Sequence, residues 1–80
     1  MGLMGIIEEA VRFDESLLRI RQYDAAAPEE PELRQRIKRI AARTGGTCAG
    51  ISARVTSEII KSGERAEVVI SKMEGQDGMD

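Results

Sequence analysis

The chain has 80 residues, of which 12 are basic and 14 acidic, with no histidine, one cysteine and a net charge of −2. Without histidine there is no ready general base near neutrality and no Cys/His zinc site, and a lone Cys48 excludes an internal disulfide. No phosphate-loop or calcium-loop pattern occurs either, so the reading is of a non-enzymatic protein with no cofactor and no metal. The apolar 41% includes nine alanines and only 17 Ile, Leu or Val, with Phe13 and Tyr23 as the sole aromatics. Such a core leaves a monomer marginal, and a dimer would help it. The apolar run Leu3 to Ile7 is too short to span a membrane and ends at Glu8 and Glu9. A soluble, cytoplasmic protein without membrane association is expected.

Taken in chain order, residues 1–24 read as an amphipathic helical segment. Leu3, Ile6, Ile7, Ala10, Phe13, Leu17 and Ile20 recur at helical intervals, and Asp14-Glu15-Ser16 offers a possible restart. This apolar face is the expected homodimer contact. Residues 25–30 are a connector, and Pro31 suits the first turn of the next helix. Over 31–43, Leu33, Ile37, Ile40 and Ala41 form one face, while Arg36, Arg39 and Arg43 form a second stripe. Gly45 is placed to end that helix in the left-handed conformation. Thr47 is placed to cap a third helix carrying Cys48, Ile51, Val55 and Ile59 on one face. Gly63 closes it. A C-terminal helix over 64–74 places Ala66, Val69, Ile70 and Met73 at i, i+3, i+4 and i+7, followed by a flexible acidic tail at 75–80.

The fold expected is therefore all-α, a single small domain of three or four helices. The alternative is α+β, with a β-hairpin over 54–72 turning at Ser62-Gly63, because that stretch is rich in β-branched residues. Charge is unevenly spread. Residues 1–30 carry three basic and seven acidic groups, 31–65 carry eight and three, and 66–80 carry one and four. The nets are −4, +5 and −3. A basic middle either is neutralised by the acidic ends across the fold or faces a polyanion.

Within the basic stretch, Ile40-Ala41-Ala42-Arg43-Thr44-Gly45-Gly46-Thr47 leads into Cys48-Ala49-Gly50-Ile51-Ser52-Ala53-Arg54-Val55. These 16 residues resemble the helix–turn–helix of bacterial repressors, particularly the lactose-repressor headpiece. Ala41, Gly45, Ile51 and Ser52 match in place, and Thr47 stands at the cap. Gly46 and Arg54 depart from it, since that pattern has buried apolar residues there. The resemblance implies a transcriptional regulator whose second helix enters the major groove of double-stranded DNA. It implies Thr47, Ala49, Ser52 and Ala53 toward the groove, with Arg54 as the long base reader. Arg36, Arg39, Arg43 and Lys61 would then contact phosphates.

A second expectation comes from what is missing. A small, acidic chain without catalytic groups is similar to phage-encoded inhibitors such as anti-CRISPR proteins. On that reading Glu8, Glu9, Asp14 and Glu15 mimic phosphates and occlude a host protein.

Overall fold

The computed structural model describes residues 2–78, and the side chains of residues 5 and 7–75. Among the described residues four helices follow one another: α1 (Gly2–Tyr23), α2 (Glu30–Thr44), α3 (Cys48–Ser62) and α4 (Ala66–Gly78). The protein is all-α, and no strand occurs among the described residues.

Helix α1 runs unbroken through Asp14. The two side chains that offered a restart are engaged elsewhere: Asp14 accepts from Arg34 at 2.7 Å, and the Ser16 hydroxyl donates to the Phe13 carbonyl at 2.8 Å. Neither caps a new helix. Phe13, Ser16, Leu17 and Ile20 turn inward, while Ile7 and Ala10 are exposed. The apolar face expected of this segment is thus half spent in the core, and its members Leu3 and Ile6 lie outside the described side chains. After Tyr23 the chain reverses through Asp24. Its backbone N–H closes onto the Ile20 carbonyl, and its Oδ1 accepts from the Ala26 N–H at 3.0 Å.

Helix α2 begins at Glu30, with Pro31 in its first turn, where a missing N–H costs nothing. Leu33, Ile37, Ile40 and Ala41 are its buried face. Gly45, at φ +78°, ends it by donating to the Ala41 carbonyl at 2.9 Å. Thr47 caps α3, its hydroxyl oxygen accepting from the Gly50 N–H at 3.0 Å. Gly63 repeats the left-handed stop at φ +72°, donating to the Ile59 carbonyl. A two-residue type I′ hairpin at Ser62-Gly63 would also need positive φ at Ser62. No described non-glycine residue has it, and the 54–72 hairpin does not form. The chain continues into α4, whose Ala66, Val69, Ile70 and Met73 are buried as their spacing predicts. Its helical backbone runs on to Gly78, beyond the expected end at 74.

The helices share one core, and the contact between α1 and α3 is the most extensive. Polar ties reinforce that pair and join α4 to the chain after α1. Glu9 of α1 accepts from the Ala49 N–H at the start of α3, at 3.1 Å. Asp24 Oδ2 accepts from the Ala66 N–H at the start of α4, at 2.8 Å. Each carboxylate satisfies a donor that a helix N-terminus leaves open and meets the positive end of its dipole.

Candidate nucleic-acid interface

The corner between α2 and α3 is three residues long, Gly45-Gly46-Thr47. Ala41 and Ile51 are buried on its inner side. Gly46 is exposed, and a Cβ there would sit 3.6 Å from the Ile51 side chain, an ordinary contact distance. Further along α3, Val55 is fully buried and Arg54 points to solvent. Val55 thus fills the inward position beside Arg54.

That orientation of α3 decides which side chains face outward. Gly50, Ala53, Arg54, Ser57, Ile60 and Lys61 are exposed, whereas Ile51, Ser52, Val55, Thr56 and Ile59 are buried. Ser52 was expected at a DNA groove and lies instead in the core, 0% exposed, its hydroxyl without a hydrogen-bond partner. It cannot touch a ligand outside the protein. Ala49 is half-buried, and its N–H is taken by Glu9. Thr47 is exposed, with its hydroxyl oxygen engaged in the cap. Gly50 and Ser57 join the outward face without having been foreseen. Their spacing from Ala53 and Arg54, three residues either way, was the available signal.

The arginine stripe of α2 is divided by its neighbours. Arg36 is clamped across α4 and has only 14% of its side chain exposed. Its Nη1 donates to Glu67 at 2.6 Å, and its Nε and Nη2 donate to the two oxygens of Glu74 at 3.0 and 2.8 Å. Glu32 is a third carboxylate partner, at a longer 3.3 Å. Hydrogen bonds from Arg36 are the main reason Glu74 and Glu67 titrate below the ordinary glutamate range, and the same bonds raise the arginine's own pKa. The expected phosphate contact at Arg36 is therefore already occupied. Arg34 is similarly held by Asp14 and Glu30, both at 2.7 Å, and lies over the Phe13 ring. By contrast Arg39, Arg43, Arg54 and Lys61 are exposed and have no ion-pair partner among the described residues.

The acidic residues of α1 do not form a common row. Glu9 caps α3, Asp14 holds Arg34, and Glu8 makes a long 3.9 Å pair with Arg12 on its own helix. Glu15 is exposed, with no ion-pair partner among the described residues.

Open grooves mark the described surface of the bundle. One, of about 370 Å³, lies between α1 and the start of α3, with Arg12, Arg19, Glu9 and Glu15 around Gly50 and Ala53. Another, of about 190 Å³, separates α3 from α4 and carries Arg54, Glu58, Glu64 and Lys72. Both mix charges of either sign. Lys72 donates to Glu64 at 2.6 Å, which holds that carboxyl below its ordinary range. Among the described residues no group of three or more Cys, Asp or Glu side chains converges as a metal site would require, and no helix is long and apolar enough to cross a membrane. Comparison of the chain with protein-family models, with curated proteins and with solved structures returns no match.

Proposed function

We propose that the chain is a small non-enzymatic DNA-binding module that meets the duplex with the outward face of α3 and the end of α2. The observation that carries this reading is the fate of the cations. The acidic ends of the chain neutralise Arg34 and Arg36 from within, yet leave Arg39 and Arg43 toward the end of α2, and Arg54 and Lys61 along α3, exposed and without an ion-pair partner among the described residues. Between them, Gly50, Ala53 and Ser57 are short enough for a helix to approach a groove closely. Arg39, Arg43 and Lys61 serve as phosphate contacts that position the module, and Arg54 is the one long side chain on α3 able to reach a base edge.

The test is fluorescence anisotropy with a random duplex at about 50 mM salt, repeated across a salt series. Binding should be weak and should fall steeply with salt. Arg39→Glu with Arg43→Glu should abolish it while leaving the helical signal intact, since both side chains are exposed. Arg54→Ala should remove sequence preference more than affinity. No association at low salt, or full retention in the double variant, would overturn the reading. The second reading, occlusion of a host protein by acidic mimicry, draws support only from Glu8 and Glu15. These two α1 carboxylates make no contact with another helix among the described residues.

A further inference from the structure

Between Glu32 and Glu58 the chain holds no acidic residue, and most of α2 lies in that stretch. Leu33, Ile37, Ile40 and Ala41 turn one side of the helix into the core. At 100° per residue, Gln35, Lys38, Arg39, Ala42 and Arg43 fall on the opposite side, within about 140° of one another and over about 12 Å of helix length. All five are exposed. Lys38 belongs to this face together with Arg39 and Arg43, and like them it has no ion-pair partner among the described residues.

Arg34 and Arg36 stand at the two margins of the face, each about 100° round the helix from Gln35. The acids that border it are spent there. Asp14 and Glu30 hold Arg34, and Glu32, Glu67 and Glu74 hold Arg36. Glu74 also feels the charge of Arg39, yet both of its oxygens accept from Arg36. Between the margins, three cations stand with no carboxylate bound to them among the described residues.

What else the face carries indicates its partner. A lipid surface takes up large apolar side chains beside the cations, and a protein interface is built around an apolar or aromatic centre. Here only Gln35 and Ala42 accompany the charges, and Leu33, Ile37 and Ile40 of the same helix are buried. A single strand is gripped by aromatic side chains that stack on its bases, and this face has none. The backbone of a duplex needs only positive charge and hydrogen-bond donors.

We propose that the exposed face of α2, from Gln35 to Arg43, lies along the phosphate backbone of a duplex, with Lys38 as a third phosphate contact beside Arg39 and Arg43. The assignment rests on the DNA-binding reading and sharpens it. Affinity comes from α2 through a contact that carries no sequence information, and base preference is left to Arg54 on α3.

Fluorescence anisotropy with two duplexes of unrelated sequence, across a salt series, tests the assignment. Lys38→Gln should leave the helical signal unchanged, since the side chain is exposed and the two residues favour a helix about equally. It should weaken binding to both duplexes alike and lower the salt slope by about one. Arg21→Gln removes the same charge from the last turn of α1 and should leave the slope as it is. If Arg39→Gln with Arg43→Gln lowers the slope and Lys38→Gln does not, the proposal is overturned and the DNA-binding reading stands. Equal effects of Lys38→Gln and Arg21→Gln overturn it too, by reducing the contact to net charge. A parent chain that binds neither duplex at about 50 mM salt overturns both. Capture by phosphatidylserine vesicles in that case would assign the face to a lipid surface instead.

Discussion

The Ser52 hydroxyl sits in the core with no partner, and a buried polar atom left without one costs about 1–3 kcal/mol. Ser52→Ala removes that cost and only a single small atom of packing. It should therefore raise stability by about 1 kcal/mol, read as a higher midpoint in urea unfolding with an unchanged slope. A loss of stability would mean that the hydroxyl is satisfied in solution. DNA binding should not change, since the side chain is fully enclosed. The sequence placed Ser52 outside because it matched a repressor residue of the same type. In the structure Ser52 shares the buried face of α3 with Ile51, Val55, Thr56 and Ile59, and Arg54 is turned out. Arg36 shows the same limit differently. It shares a stripe with Arg39 and Arg43, and periodicity cannot distinguish the three. Only the crossing of α4, with Glu67 and Glu74 on its near side, separates the occupied arginine from the exposed pair.

At the scale of the element, the four helices were readable because their signals are local. Gly45 and Gly63 sit where left-handed stops are needed, Thr47 caps, and the apolar intervals of α2, α3 and α4 select their buried faces. The face of α1 was readable only in its second half: Phe13, Leu17 and Ile20 are buried as their spacing predicts, whereas Ile7 and Ala10 are exposed. The docking of α4 leads to a prediction about pH. Its carboxylates Glu67 and Glu74 are held below the ordinary glutamate value of about 4.5 when bound to Arg36. A depressed folded-state pKa means that their contribution is complete above that value and is lost as pH falls through it toward the folded-state pKa values. The melting temperature should thus drop on acidification below about pH 5. Glu67→Gln with Glu74→Gln should melt lower than the parent at neutral pH and show a flatter acid profile. An equally steep profile in that variant would assign the acid sensitivity to other carboxylates.

For the whole molecule, a net charge of −2 conceals how the acids are spent. Glu9 and Asp24 cap helices, Asp14 and Glu30 hold Arg34, and Glu32, Glu67 and Glu74 hold Arg36. The acidic ends staple the bundle together and neutralise the N-terminal half of α2, while Arg39 and Arg43 toward the α2–α3 corner stay exposed without an ion-pair partner among the described residues. If that corner binds DNA, Glu67 and Glu74 limit it by withholding Arg36 from the Arg39–Arg43 stripe. Glu67→Gln with Glu74→Gln should then tighten binding and steepen its salt dependence by about one released counterion. Neutralising any two acids also shifts the net charge, so a matched control is needed. Glu29→Gln with Glu58→Gln changes the charge by the same amount and frees no arginine, as neither residue makes an ion pair among the described residues. A larger gain in the Glu67/Glu74 variant than in the control, with α4 still folded by hydrogen exchange, identifies a local release of Arg36. Equal gains would reduce the effect to long-range charge, and the clamp would be structural only.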